Sequence, residues 1–184
     1  MATASQYPTP VMSSWRLRLL RLFLWISVLG WGIGLGAKLF DLLVLAGAWS
    51  AAPPASLAFL PYGSHFPINP GNFFQPLSLP MLLGVVGALI CGWNTPWKYR
   101  VWLSIPLVMF LIIWILTPTV FWPMNHELYL AASGSSGRSD ADVIEMARRW
   151  VTYDWLRVAM IAVGVASYVR AISLPVGVKS SRSF

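Results

Sequence analysis

The sequence predicts an all-α membrane protein: an antiparallel bundle of four transmembrane helices with a Pro/aromatic-rich loop capping its outer end. Three observations carry this expectation. Apolar residues make up 57% of the 184 residues and charged residues only 10%, against roughly a quarter charged in globular chains. Four apolar stretches approach or exceed the about 20 residues needed to cross a bilayer. The 13 Lys and Arg and the 6 Asp and Glu segregate along the chain by side of the membrane. A soluble domain could not hide so much apolar surface, and a disordered chain would not carry it. The single cysteine, Cys91, excludes an intrachain disulfide framework and a zinc site built on several thiolates.

The spans fall at about 19–48, 77–93, 101–122 and 155–172. Together they form a transmembrane domain over 15–173, between a disordered cytoplasmic N-terminus (1–14) and a cytoplasmic tail (174–184). The first stretch has the basic lead of a signal peptide, but its apolar run is too long and includes Lys38 and Asp41. Pro80 lies near the start of the second span, where it is tolerated, while Pro106, Pro118 and Pro123 predict bends in the third. Eight basic residues and no acids sit on the side of both termini and the short middle loop, from Arg16 to Arg182. The other side holds five basic residues and all six acids. The positive-inside rule puts both termini in the cytoplasm. The +7 charge is therefore a topology signal, and no nucleic-acid partner is expected.

The segment 49–75 has no charge and interleaves five prolines with aromatic rings. It reads as a non-helical cap on the bundle's outer end. The polar connection 125–152 contains a flexible Ser-Gly-Ser-Ser-Gly turn at 133–137, then a helical stretch that Ser139 or Asp140 would cap. Gly30, Gly32, Gly34 and Gly36 of the first span form two overlapping small-xxx-small spacings. These favour close packing, within the bundle or against a second copy or another membrane partner.

Ionisable groups inside a span are costly, at roughly 2.5–3.5 kcal/mol each on insertion scales, so each one calls for a reason. Lys38 and Asp41 are three residues apart, within ion-pair reach, either as an interface pair or as part of a site. Trp150, Asp154 and Arg157 share one helix face by the same spacing rule. Pro123 is expected to weaken the third helix near its end, with Asn125, His126 and Glu127 just past that point. Antiparallel packing would level these with Lys38 and Asp41, beneath a cap containing His65. His65, His126 and Glu127 could supply mixed ligands for a metal, although no two histidines have ligand spacing. No phosphate loop, dinucleotide fingerprint or nucleophile elbow is present.

Three stretches resemble the anthrone oxygenase-like integral membrane family: Gly-Leu-Gly-Ala-Lys-Leu-Phe-Asp (34–41), Phe-Trp-Pro-Met-Asn-His-Glu-Leu (121–128) and the Arg-Trp…Asp-Trp-Leu-Arg run (149–157). The resemblance extends over about 20–172, with four helices in matching order. It implies an Asn after the third span and a Trp…Arg pair opening the fourth, here Asn125, Trp150 and Arg157. Many members carry a His in the turn before that Arg, a place held here by Asp154 or Tyr153. A few members are linked to oxidation of anthrones to anthraquinones, with no recognised cofactor. On that analogy the site takes a hydrophobic small molecule from the lipid bilayer. His126 or Asp154 would be the base, Asn125 and Arg157 the oxyanion donors, and Trp122, Trp150 and Trp155 with Lys38 and Asp41 the substrate contacts. No cofactor is required by this reading. A non-catalytic membrane subunit or lipid-binding protein, and a metal-dependent membrane oxidoreductase, are the alternatives.

Overall fold

The computed structural model describes residues 11–62 and 68–178. Four long helices account for most of them: α1 (Ser14–Trp49), α2 (Gly71–Gly92), α3 (Trp97–Ala132) and α4 (Asp140–Ser173). Each is long and apolar enough to cross a membrane, so the chain reads as a multi-pass membrane protein. The helices form a ring in which α1 packs on α2 and α4, α4 on α3, and α2 on α3. A two-residue parallel pairing of β1 (Val11–Met12) with β2 (Gly177–Val178) ties the two chain ends together beside the short α2–α3 turn. At the usual rise of 1.5 Å per residue, α2 is about 33 Å long and matches the hydrocarbon layer, whereas the other three exceed about 50 Å. They project past the first residue of α2 at the opposite end, where the cap lies.

Two of these helices stay continuous by widening. α1 passes through a π-helical segment at Asp41–Ala46, and α3 through another at Thr117–Phe121. A π segment takes in an extra residue without breaking the helix, and such segments often occur at functional sites. The second one corrects an expectation: the third helix does not give way to a connection at 125. Pro123 falls immediately after the π segment, in the stretch Trp122–Ala132, and the helix runs on through it. Asn125, His126 and Glu127 are thus helical, not loop, residues. Residues 71–75, expected in the cap, instead open α2, and Pro76 and Pro80 both lie inside it. The outer helical stretch after the Ser-Gly turn is continuous with the fourth span, and Ser139 caps it in a reciprocal box with Asp142.

Close helix approach is only partly where the first-span glycines suggest. Gly30 and Gly34 do face Met81 of α2, but nothing lies over Gly32 or Gly36. The tightest fits are on the partner helices. A Cβ on Gly84 would meet Ser27 Oγ at 2.3 Å, and one on Gly164 would meet the Trp31 ring at 2.2 Å. Around these fits, Leu20, Leu24, Trp31, Val85, Ala88, Leu103 and Tyr168 form one buried core. A second core at the cap end joins Trp49, Leu57 and Leu60 to Phe121, Leu128, Val143 and Trp150. The cap is held by a short 3₁₀ turn (Ala55–Phe59) and by Ser56 Oγ donating to the Trp49 carbonyl at 2.6 Å. His65, expected in the cap, lies with the rest of 63–67 outside the described residues, as do 1–10 and 179–184.

Candidate functional site

Between the two cores, four charged side chains from the first and last helices meet. Lys38 Nζ lies 2.5 Å from Asp41 Oδ2, one turn along α1, and 3.0 Å from Asp154 Oδ1 across on α4. Arg157, one turn along α4, donates from Nε to the same Asp154 oxygen at 2.7 Å, and its Nη2 pairs with that oxygen too. All four residues are buried, and Asp154 is 0% exposed. Two cations and two carboxylates make a neutral quartet, the arrangement that burial of charge demands. Asp154 Oδ1 is shared by both cations, while its Oδ2 is buried with no hydrogen-bond partner.

Aromatic rings enclose the cations. The Arg157 guanidinium sits 3.3 Å over the centre of the Phe121 ring, and Lys38 Nζ lies 5.4 Å from both the Phe74 and Trp150 rings. Such faces stabilise a desolvated cation by about 2 kcal/mol. Trp150 packs edge-on against Trp49 and Phe121, and its indole N–H donates to Asn125 Oδ1 at 2.7 Å. That bond fixes the Asn125 carboxamide and leaves its NH₂ free of hydrogen bonds among the described residues.

The quartet forms one end of a cavity of about 540 Å³. Lys38, Arg157, Asn125 and Tyr62 supply polar groups at that end, and Trp31, Met81, Phe110 and Ile161 line the apolar depth. The size and the apolar walls with few convergent polar groups are those of a small-molecule site. Tyr62, from the cap, approaches the Trp150 ring at 6.3 Å between centroids. Burial foremost, then the nearby Asp41 carboxylate, pushes the Tyr62 phenol well above its ordinary value, so it stays a neutral donor.

Asn125, Arg157 and Lys38 thus reach the cavity, and Asp41 and Asp154 stand behind them as counter-charges. Trp122 lines the cavity at its exposed rim, while Trp150 backs its polar end. Trp155 is half exposed and does not line the cavity. His126 is exposed and does not line the cavity. Glu127 is engaged outside by Arg138 at 2.6 Å. Among the described residues no three His, Cys, Asp or Glu side chains come together as metal ligands. Phe74, Phe121 and Tyr62 are site residues that the sequence did not single out. The π segment turns Phe121, not Trp122, inward, and no sequence signal shows that shift.

The sequence pattern of the anthrone oxygenase family matches residues 66–167. That is more than half of the chain. The chain belongs to the anthrone oxygenase family. The matched region contains Asn125, Trp150, Asp154 and Arg157, whereas Lys38, Asp41 and Tyr62 precede it. No curated protein and no solved structure matches the chain.

Proposed function

We propose that this protein binds a flat, lipophilic hydroxyaromatic of the anthrone type in the cavity and oxygenates its activated methylene to a carbonyl with O₂. The observation that carries the reading is the juxtaposition of an apolar, aromatic-walled cavity with two cations of a buried neutral quartet. An anthrone methylene between two aryl rings is acidic because its conjugate base places charge on the ring oxygen. Arg157, Lys38 and the Asn125 NH₂ line the end where that oxyanion would sit, and preorganised donors of this kind commonly contribute 10²–10³ in rate each. The carboxylates do not line the cavity, so the proton leaves through Lys38. The ammonium passes a proton to Asp154, 3.0 Å away, and takes one from the substrate. The electron-rich carbanion reduces O₂ and joins it as a peroxide anion. That anion takes back the proton held on Asp154 by way of Lys38, which gives a hydroperoxide and resets the pair. Loss of water from the hydroperoxide leaves the carbonyl, so one methylene and one O₂ give one carbonyl and one water.

The charge bias of the sequence supports cytoplasmic termini, which would place the quartet towards the outer face. A cytoplasm-dependent reporter after Phe184 should be active and one inserted at Ser135 silent. For the chemistry, protein in liposomes is given a hydroxyanthrone in air, and O₂ uptake and quinone absorbance are followed against protein-free liposomes. Lys38→Met and Arg157→Met should each lose at least tenfold of the protein-dependent rate. Turnover no faster than autoxidation, or full activity in Lys38→Met, would refute the mechanism.

A further inference from the structure

The cavity has a closed back and an open front. Its lining residues on α1 and α4, namely Trp31, Gly34, Lys38, Arg157 and Ile161, are all buried. Its lining on α2 and α3 is half-buried or exposed apart from Phe110 and Phe121, with Gln75, Trp114, Pro118 and Trp122 at the rim. Packing between α2 and α3 explains the difference. The buried residues of α2 run only from Gly84 to Gly92, and those of the regular part of α3 only from Tyr99 to Phe110. Both sets lie in the halves next to the short connecting turn. Beyond them the two helices have no buried residue facing each other, and the cavity fills the space between.

The gap lies at hydrocarbon depth. Leu77 is fifteen residues from the turn end of α2 and Trp114 seventeen from that of α3, which at 1.5 Å per residue puts both about 22–26 Å along helices in a layer about 30 Å thick. The exposed side chains flanking it, Leu79 and Leu83 on α2 and Leu111 and Ile115 on α3, are apolar, as lipid contact requires. Both bordering helices are also interrupted at this level. Pro76 and Pro80 each remove a backbone donor from α2, and the π segment with Pro118 widens α3. Thr117 and Thr119 hydroxyls donate back to the Ile113 and Ile115 carbonyls at 2.8 and 2.6 Å.

We propose that the substrate passes between α2 and α3 sideways from the hydrocarbon layer, not through the cap from water. This rests on the reading of the cavity as a site for a flat lipophilic aromatic, and it names the route and the phase from which that molecule comes. Ser78 on α2 and Trp114 on α3 line the cavity on the two sides of the gap, so the size of these side chains should set the rate of passage.

The test uses the full chain in lipid nanodiscs and 1,8-dihydroxyanthraquinone as the probe, with association followed by the probe's own fluorescence. The rate should follow the probe's mole fraction in the lipid when its aqueous concentration is held fixed. Ser78→Trp should slow association at least tenfold and Trp114→Ala should accelerate it severalfold. Phe59→Ala, on the exposed cap, should leave it unchanged. If Ser78→Trp does not fold, Trp114→Ala decides alone. Unchanged rates in the gap variants, or a changed rate in Phe59→Ala only, overturn the lateral route while leaving the substrate reading intact. Absence of any probe binding overturns both. Normal lateral uptake without turnover of a hydroxyanthrone would instead refute only the catalytic reading.

Discussion

Removing Arg157 is the sharpest single perturbation of the quartet. Arg157→Ala leaves Lys38 facing two buried carboxylates, so the group passes from neutral to one net negative charge. At the 2.7 Å separation of Arg157 Nε from Asp154 Oδ1, a unit-charge pair interacts by about 6 kcal/mol at an effective dielectric of about 20. Measured costs of breaking a buried pair by deleting one partner run to about 3–5 kcal/mol. The ring contact with Phe121 is lost in addition. For a chain of this size 1 kcal/mol is worth about 2–4 °C in melting temperature, which places the expected drop at roughly 6–20 °C. The assay is thermal melting in detergent beside Arg138→Ala, whose pair with Glu127 is on the surface and whose loss should not move the transition. A second variant isolates the cause. Asp154→Leu with Arg157→Met removes a cation and a carboxylate together, leaves Lys38 and Asp41 as a neutral pair, and should recover most of the loss. Wild-type melting in Arg157→Ala would refute the buried-quartet reasoning, and so would a double variant no more stable than the single one.

Three further outcomes are expected. Asn125→Leu deprives the Trp150 indole N–H of its acceptor and should cost about 1–3 kcal/mol in melting, along with the donor in the cavity. His126→Ala changes an exposed side chain away from the cavity, so both melting and hydroxyanthrone turnover should match wild type. Lost turnover in a folded His126→Ala protein would show that the cavity described here is not where the chemistry occurs. Tyr62→Phe tests the raised phenol. Burial holds its folded value above the ordinary 10.0, so the unfolded chain releases this proton first and stability falls as pH rises above about 10, by up to about 1.4 kcal/mol per pH unit. The wild type should therefore lose melting temperature relative to Tyr62→Phe between about pH 10 and 11, with no difference between them below pH 9 arising from this proton.

Much of the architecture was legible because membrane spans are written in uninterrupted hydropathy, and the shared face of Trp150, Asp154 and Arg157 follows from spacing alone on an unbroken helix. Asn125 meeting Trp150 followed from antiparallel packing of α3 and α4. What was not legible traces to the two π segments. A proline after Phe121 reads as a weakened helix end, and only the widened turn lets the chain continue to Ala132. The same extra residue rotates the following face, so Phe121 lies under Arg157 while Trp122 stands at the rim and His126 turns outward. Tyr62 and Phe74 were hidden for other reasons. Tyr62 comes from a proline-rich stretch with no period and is turned inward by the cap's packing on Trp150, whereas Phe74 lies in the first turn of α2, which the sequence reads as cap.

The spacing inside the quartet bears on how the chain enters the bilayer during synthesis. Lys38 has its counter-ion three residues on in the same helix, and Asp154 has its own three residues on in another. Each helix therefore brings a self-neutralised pair to the insertion machinery, and neither must wait for the other to offset an isolated charge. Lys38 to Asp154 is the bond that then joins the first helix made to the last. Until α4 arrives that bond has no acceptor, and the polar end of the cavity has no Arg157. The quartet is thus complete only once α4 has been threaded, and a product truncated before α4 would hold Lys38 and Asp41 without Asp154 and Arg157.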